Sequence, residues 1–225
     1  MKLKFIGHSC FLLEYKEYKI LIDPFITGNP NINLDPLSIE ANYILVSHGH
    51  SDHVGDSVEI SKKNSAKIIA NYEVAEYCEK LGANTLGMNI GGMVDLDFCK
   101  IKLVIAIHSS RLPDGSYGGN PNGFLVYNDE FSLYFAGDSA LTLDMQLIPK
   151  LAPKLDFAIL PMGDYYTMGI EDCVLAAQFI DCQRIIACHF DTFPPIKLDR
   201  NKALNAFDKN GIELIIPMVG EYIKL

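Results

Sequence analysis

Three of the six histidines in the chain, with one aspartate, fall within the six consecutive residues "HGHSDH". The motif comprises His48, His50, Asp52 and His53. A lone histidine on an apolar strand is usually a hydrogen-bonded core residue. Four ligand-type residues in six positions are not expected from the composition of the chain, and histidine and aspartate both bind divalent metal ions. The motif therefore predicts a metal site.

The motif follows the buried strand pattern "YILVS" and precedes a helical pattern. Side chains alternate between the two faces of a strand, so we expect His48 and His50 to point the same way, with Gly49 leaving room for close backbone approach. Asp52 and His53 are expected in the turn before a helix. The positive end of that helix favours an ionised carboxylate and a neutral imidazole, the forms that bind metal.

Further ligands must come from elsewhere in the chain, and three polar residues end apolar strand patterns. His108 ends "IKLVIAIH", Asp138 ends "LYFAGD" and His189 ends "RIIACH". Each of them alone is either a ligand or an ordinary strand-end residue, but together they form a pattern. Cys188 and His189 are adjacent and should face opposite ways, so we choose His189 as the candidate and leave Cys188 in the core.

The hydrophobic pattern predicts the elements that position these residues. A strand meander, "LKFIG", "CFLLEY" and "YKILID", precedes strands that alternate with helices, and the second part of the chain repeats this order more loosely. Asn71 is a predicted helix N-cap, and Gly82 a predicted helix stop. We predict an α+β fold, an αββα four-layer sandwich in which two mixed β-sheets lie face to face with helices outside, as a single domain covering residues 1–225.

Composition excludes several classes of function. Apolar residues make up 49% and charged residues 21% of the chain, as in an ordinary globular protein. The net charge is -9 without a basic run, which disfavours nucleic acid, and no window resembles a membrane span. The N-terminus lacks a signal-peptide pattern, so we expect a cytoplasmic protein. The six cysteines, without a C-x-x-C pair, are predicted to be buried and reduced.

Several stretches resemble one known superfamily: "GHSCFLLE", "ILIDPFITGNP", "SHGHSDHVGD", "GMNIGG", "HSS", "YGG", "AGDSAL", "PMGDYYTMG" and "CHFDTFP". They run from residue 7 to about residue 194 and resemble proteins of the metallo-β-lactamase fold. The histidine motif alone is typical of the superfamily, whereas "GMNIGG" and "GDYYTMG" narrow the resemblance. The chain is most similar to the UPF0173 metal-dependent hydrolases, which are similar to ascorbate-phosphate lactonases.

The resemblance implies two divalent metal ions and seven His and Asp ligands. One ion would be bound by His48, His50 and His108, the second by Asp52, His53 and His189, and both would be bridged by Asp138. Zinc is favoured, with manganese, iron and nickel left open because such ligands suit them all. The nucleophile would be a water that bridges the metals. Asp52 and Asp138 are the candidate catalytic carboxylates.

Three further residues are weaker candidates. The resemblance implies that Asp23 supports a ligand histidine or the loop without binding metal itself, the alternative being a turn residue before Pro24. His8 either contacts substrate or supports a ligand, or it is a packed hairpin-end residue. Asp164 either orients ligands or substrate, or it caps a loop. We retain His8 and Asp164 as additional catalytic candidates.

These observations together predict a hydrolase that cleaves a small ester, lactone or phosphodiester. The alternatives are a non-catalytic metal-binding or sensing module and a membrane-surface phospholipase of the same fold. We expect a small-molecule substrate, no nucleic-acid partner and no stable membrane association, and the sequence leaves a homo-oligomer open.

Overall fold

The computed structural model describes residues 1–224, which form two compact units. Unit 1 comprises Met1–Ile90, Ser109–Pro121 and Met218–Leu225, and unit 2 comprises Gly91–His108 and Asn122–Pro217. Within residues 1–224, no helix is both long and apolar enough to cross a membrane. The assignment of residues 1–225 to a single domain stays a prediction.

Unit 1 contains a seven-stranded mixed sheet. Its strands are β1 (Lys2–Gly7), β2 (Cys10–Tyr15), β3 (Tyr18–Ile22), β4 (Tyr43–Val46), β5 (Lys67–Asn71), β6 (Asn84–Met88) and β14 (Tyr222–Ile223). They lie in the order β14-β1-β2-β3-β4-β5-β6. The pairs from β14 to β3 are antiparallel, whereas those from β3 to β6 are parallel. The parallel part therefore brings the carboxyl ends of β3, β4 and β5 to one edge of the sheet.

Three helices accompany this sheet, namely α1 (Ser51–Val54), α2 (Ser57–Asn64) and α3 (Tyr72–Lys80), and Pro36–Ser38 form a 3₁₀ turn. The start of α3 is as predicted, because the Asn71 side chain accepts a hydrogen bond from the Val74 N–H at 2.9 Å. The helix ends before Gly82, whose φ of +91° favours glycine. Val74 and Cys78 are buried on its inner face.

Unit 2 contains the second seven-stranded mixed sheet. Its strands are β7 (Met93–Asp95), β8 (Lys100–Ile105), β9 (Asn122–Tyr127), β10 (Ser132–Phe135), β11 (Phe157–Pro161), β12 (Arg184–Cys188) and β13 (Glu213–Ile215). They lie in the order β13-β12-β11-β10-β9-β8-β7, antiparallel from β7 to β10 and parallel from β10 to β13. Every residue of β10 and β11 is buried, as parallel strands covered on both faces require.

The helices of unit 2 are α4 (Ile148–Leu151), α5 (Ile170–Phe179) and α6 (Arg200–Asp208), with 3₁₀ turns at Leu143–Leu147 and Pro194–Ile196. The side chain of Asp199 caps α6 by accepting a hydrogen bond from the Lys202 N–H at 3.0 Å. The helical stretch that the sequence predicts near residues 143 to 151 is a 3₁₀ turn followed by one α-helical turn.

The prediction of two mixed sheets accompanied by helices is confirmed. Two strands, β6 and β7, were not predicted, and each lies at one edge of its sheet. Their sequences, "NTLGM" and "MVD", are partly exposed and lack the apolar pattern of a buried strand. The six cysteines are all buried and, within residues 1–224, no disulfide joins them, in agreement with the prediction.

Candidate metal centre

The histidine motif of unit 1 lies beyond the end of β4 rather than on it. β4 ends at Val46, His48 lies in the following loop, and His50 immediately precedes α1. Strand alternation therefore does not orient the two histidines, and that part of the prediction is wrong. The loop itself brings them together, because His48 Nε2 lies 2.9 Å from His50 Nδ1.

Gly49 has the close backbone contact that its lack of a side chain predicted. Its N–H donates to Ser110 Oγ at 3.0 Å, and a Cβ at this position would lie 3.2 Å from the Gly118 Cα. Ser110 Oγ in turn donates to the Gly118 carbonyl at 2.8 Å. The loop of unit 1 that contains Ser110 and Gly118 thus packs directly on the histidine motif.

Asp23 is hydrogen-bonded to Ser47 and to His53 of the histidine motif. It follows β3 with a φ of +41°, is fully buried, and accepts hydrogen bonds from Ser47 through both carboxylate oxygens, the N–H at 2.8 Å and the Oγ at 2.6 Å. Its Oδ2 also lies 2.8 Å from His53 Nδ1. Burial raises the pKa of the Asp23 carboxyl, whereas His53 and Ser47 act in the opposite direction. Asp23 therefore hydrogen-bonds a candidate ligand histidine, which is the contact that a supporting residue would make, and its supporting role stays a prediction.

This hydrogen-bond network sets which ring nitrogens of His53 and His48 are available. His53 Nδ1 faces the Asp23 carboxylate, so the ring donates from Nδ1 and keeps the Nε2 lone pair. The Ser47 hydroxyl donates its hydrogen to Asp23, so at its 3.0 Å contact with His48 Nδ1 it can only accept. Both rings thereby hold Nε2 in the unprotonated form that a metal requires.

Asp52 and His53 lie in the single turn of α1, next to His8 from the turn between β1 and β2. Asp52 Oδ2 is 3.3 Å from His8 Nε2 and 4.0 Å from His53 Nε2. His8 is 2% exposed, adopts a φ of +57°, and places its ring edge-on to Phe25 at 5.6 Å. His8, Asp52 and His53 can each place one ligand atom within 4.8 Å of the others, so His8 lies beside the candidate ligands of unit 1 without being one of the seven that the resemblance implies.

The neighbouring cysteine is not part of this chemistry. Burial raises the pKa of the Cys10 thiol, and the charges of Asp23 and Asp56 raise it further. A neutral buried thiol is neither a good ligand nor a nucleophile, so Cys10 belongs to the core.

The ligand set of unit 2 comprises His108, Asp138 and His189. Asp138 Oδ2 lies 3.5 Å from His108 Nε2 and 3.0 Å from His189 Nε2, and both Asp138 and His189 are 2% exposed. The strands end earlier than the sequence predicts, at Ile105 in β8 and Phe135 in β10. All three residues thus lie in loops just beyond strands, where a polar side chain can leave the apolar layer.

His189 directly follows β12 and adopts a left-handed conformation with φ of +54°. The alternation of strand residues was the reason for preferring it to Cys188, but only Cys188 is a strand residue. Cys188 is buried at 1% exposure, as predicted for a core residue. The turn of the backbone, rather than the alternation of a strand, therefore directs the His189 ring towards Asp138.

The geometry of both ligand sets fits a divalent ion. Two ligands bound at the usual zinc distances of about 2.0–2.2 Å, with angles between octahedral and tetrahedral values, lie about 2.9–3.5 Å apart. The contacts His48–His50, His108–Asp138 and His189–Asp138 measure 2.9, 3.5 and 3.0 Å and fall in this range. Asp52 Oδ2 and His53 Nε2 lie 4.0 Å apart, slightly beyond it. Nitrogen and carboxylate oxygen donors suit zinc, manganese, iron and nickel.

Asp164 lies in an exposed loop between β11 and α5. Its N–H donates to the Met168 carbonyl at 3.0 Å, and its φ is +65°. A Cβ on Gly169 would approach Asp164 Oδ1 to 2.9 Å, so the side chain lies against the start of α5. These contacts match the loop-capping alternative, and the catalytic role of Asp164 stays a prediction.

Sequence reasoning did not identify Ser47, Ser110 or Asn71 as residues that organise the motif. Asn71 donates to the carbonyls of Gly118 and Asn120 at 2.9 and 3.1 Å, besides capping α3. The sequence hinted only at Ser47, which immediately precedes the first histidine of the motif. Ser110 and Asn71 have partners that are distant in sequence, so no local pattern marks them.

Comparisons with known proteins identify the family of the chain. A family model described as a β-lactamase superfamily domain matches residues 2–189. A UPF0173 metal-dependent hydrolase of Christiangramia forsetii is 45% identical over 228 residues, and one of Flavobacterium johnsoniae is 46% identical over 226 residues. Each of these alignments covers 100% of this chain and 100% of the relative.

Solved structures show the same fold. Igni18, a metallo hydrolase from the archaeon Ignicoccus hospitalis, is 33% identical with a TM-score of 0.89, covering 99% of this chain and 97% of its own. The metallo-β-lactamase fold protein YhfI of Bacillus subtilis is 15% identical with a TM-score of 0.75, covering 99% and 98% of the two chains. The prediction of this fold is confirmed.

Proposed function

Because the chain belongs to the UPF0173 metal-dependent hydrolases of the β-lactamase superfamily, we propose that it cleaves a small ester, lactone or phosphodiester with two divalent metal ions. The proposal keeps the ligand assignment that the sequence resemblance implies. The ligands in unit 1 are His48, His50, Asp52 and His53, and those in unit 2 are His108, Asp138 and His189.

The observation that carries the proposal is the buried network around Asp23. A carboxylate that accepts from His53 and Ser47, while Ser47 accepts from His48, leaves two Nε2 atoms unprotonated. Burying a carboxylate is costly unless it is fully hydrogen-bonded, and a protein built only for stability would place apolar residues here. We expect such a network where hydrogen bonds must fix the tautomer and the orientation of histidines that bind a metal ion.

When bound, the metal ions lower the pKa of water and polarise the carbonyl or phosphoryl oxygen of the substrate. The side chains position and move protons. In this proposal, Asp52 Oδ2 accepts the proton that hydrolysis releases, and His8 Nε2 shares that proton from 3.3 Å away. Asp138 Oδ2 lies 3.5 Å from His108 Nε2 and 3.0 Å from His189 Nε2, so the three side chains could share one ion.

The test combines metal analysis with matched substrate panels. Protein purified without added metal is expected to contain about two divalent ions per chain, and to hydrolyse at least one of an ester, a lactone and a phosphodiester series. Dialysis against a chelator should abolish this activity, and adding back single metals should restore it. A metal-free protein without activity under every add-back condition would refute the proposal.

The same experiment separates the alternative of a sensing module. A chain that binds metal stoichiometrically but hydrolyses none of the three series would support metal binding without catalysis. Asp52→Asn keeps the shape of the side chain but cannot hold the proton, and it also replaces a charged metal ligand by a neutral one, so it should lose hydrolysis together with part of the metal.

A further inference from the structure

Two tyrosines of unit 2 stand out in the loop between β11 and α5. Tyr165 is 71% exposed and Tyr166 is 52% exposed. Their rings contact each other edge to face, with centroids 4.9 Å apart and planes at 82°. Exposed single tyrosines are ordinary, as at Tyr72, Tyr117 and Tyr222, so the distinguishing feature is that these two exposed rings contact each other. Together they form a continuous aromatic surface on a loop, and loops often contain binding residues.

Both ends of this loop are attached to segments that contain candidate ligands. Before the tyrosines, the Met162 N–H donates to the Cys188 carbonyl at 2.9 Å, and a Cβ on Gly163 would lie 2.4 Å from the His189 carbonyl oxygen. After the tyrosines, the Met168 N–H donates to the carbonyl of Ser139, the residue that follows Asp138, at 3.2 Å. The tyrosines therefore lie at most three residues from contacts with the ligand segments.

The loop holds the two rings in a defined place. The Asp164 N–H donates to the Met168 carbonyl at 3.0 Å, and the Tyr165 N–H donates to the Gly163 carbonyl at 2.8 Å. Asp164 adopts a φ of +65°, a conformation that non-glycine residues rarely adopt and that clusters at ligand-binding segments. A loop closed by its own hydrogen bonds loses little further entropy when a ligand binds.

We propose that Tyr165 and Tyr166 form an aromatic platform that binds a planar, aromatic part of the substrate beside Asp138 and His189. This inference rests on the proposed function, and it narrows the substrate class to compounds with an aryl group near the scissile bond. An edge-to-face pair presents both a ring face and a ring edge, and a third ring can contact either one favourably. A saturated ring of similar size gains the apolar contact but not the interaction with the ring quadrupoles.

The test uses esters that differ only in this ring, ethyl phenylacetate and ethyl cyclohexylacetate. The protein with its metals bound should show a KM for the phenyl ester lower by about three- to tenfold. Tyr165→Ala and Tyr166→Ala should each reduce this ratio, and the double variant should bring it close to one. Tyr165→Phe and Tyr166→Phe should retain it because they keep the rings. Tyr222→Ala, at a unit 1 tyrosine that is 50% exposed, is the control and should leave it unchanged.

A binding measurement separates this inference from the proposed function. Calorimetric titration of phenylacetate and cyclohexylacetate needs no turnover. If neither ester is cleaved but phenylacetate binds more tightly and loses that advantage in the double alanine variant, the platform is confirmed and ester hydrolysis is not. Equal affinities in the unmodified protein, or a preference that persists in the double variant, would overturn the platform.

Discussion

The two ligand sets of the molecule are built in different ways. In unit 1, four candidate ligands fall within six residues, and Asp23 and Ser47 hold two of the rings by buried hydrogen bonds. In unit 2, the three candidates come from loops after β8, β10 and β12, and the two histidines contact the carboxylate itself. The first set is organised by a supporting carboxylate, and the second by a carboxylate that is a candidate ligand.

The difference reflects the distances that each set must bridge. β10 and β12 lie on either side of β11, so at the usual strand spacing their ends are about 10 Å apart. Left-handed residues follow the strands, Gly137 at φ of +64° two residues after β10 and His189 at +54° directly after β12, and they turn the chain so that Asp138 and His189 meet. Unit 1 obtains its four candidate ligands from one loop and one helical turn, with positive φ values at the neighbouring residues Asp23 and His8.

The largest expected effect comes from removing one ligand in each unit. His53→Ala removes a nitrogen of unit 1, and His189→Ala removes one of unit 2. Each variant should lower kcat/KM by about 10³-fold or more, because the charge stabilisation lost with a metal ion amounts to several kcal/mol. Steady-state kinetics on the best substrate, together with metal content by mass spectrometry, measures both effects.

Tyr222→Ala is the control for both variants, since Tyr222 lies on β14, far from the histidine motif in sequence. Its ring contacts the Lys4 ammonium group, 5.3 Å from the ring centroid. Near-normal kcat/KM and metal content in His189→Ala, beside a loss of both in His53→Ala, would show that the unit 2 set does not bind metal. Only the ligand set of unit 1 would then remain as a candidate metal site.

A smaller effect is expected for Asp23→Asn, which tests the supporting network of unit 1. The amide keeps the size of the side chain but cannot accept from both Ser47 and His53 through two charged oxygens. Metal affinity or activity should fall about 10- to 100-fold, as for other residues that orient a ligand histidine. Competition with a metal-binding dye measures the affinity.

Asp199→Asn is the matched control in unit 2, because asparagine caps a helix about as well as aspartate and should leave metal affinity unchanged. An Asp23→Asn variant with the affinity of the unmodified protein would mean that the network stabilises the fold without orienting ligands.

Much of this difference between the units could be predicted from the sequence. The unit 1 set was evident because its residues are adjacent, and Asp23 was assigned through resemblance. In unit 2, apolar patterns located the strands, but not the point at which β8 and β10 end. Each of the six histidines of the chain lies near another candidate ligand of its own unit, including His8, whose role the sequence alone left open.

The features that could not be predicted are those that depend on distant partners or on the backbone. Ser110 and Asn71 act through contacts across 61 and 47 residues, respectively, which leave no local pattern. Asp23 and His189 have positive φ values, and although aspartate and histidine adopt them more often than most residues, such values are uncommon at any non-glycine residue and so are not predicted from residue type alone. The outermost strands β6 and β7 have too little buried apolar surface to produce a periodic signal.

The N-cap residues of α3 in unit 1 and α6 in unit 2 form different sets of hydrogen bonds, so their removal should cost different free energies of unfolding. Asn71 of unit 1 caps α3 and also donates two hydrogen bonds to the loop that packs on Gly49, whereas Asp199 of unit 2 caps α6 through a hydrogen bond from the Lys202 N–H. Asn71→Ala should therefore destabilise by about 2 kcal/mol, and Asp199→Ala by about 1 kcal/mol. Urea unfolding measures both, and Asn71→Ser, which retains only the cap, should lose about 1 kcal/mol, the part due to the loop hydrogen bonds.

Equal losses in Asn71→Ala and Asp199→Ala would contradict this ordering. They would show that the loop hydrogen bonds of Asn71 are exchanged for bonds to water at no net cost, in which case the loop is held on the motif by Ser110 and the glycine contacts alone.

The smallest expected effect concerns one buried thiol in each unit. Burial raises the pKa of Cys78 in unit 1 to about 11 and that of Cys99 in unit 2 to about 12, from an ordinary value of 9.0. Above pH 9 the unfolded chain ionises these thiols while the folded chain keeps them protonated. The unfolded state then binds fewer protons, so stability falls as the pH rises towards the folded-state pKa.

Each thiol should reduce the free energy of unfolding by about 1 kcal/mol between pH 8 and pH 10. Cys78→Ala and Cys99→Ala should each make the decline over this range shallower by that amount, whatever constant loss the smaller side chain causes at neutral pH. Urea unfolding at several pH values measures the slope. Because both folded-state pKa values lie above pH 10, the two variants should behave alike up to that pH and diverge only beyond it, where Cys78 ionises first. An unchanged slope in either variant would mean that the thiol of that unit is reached by solvent before the unit unfolds.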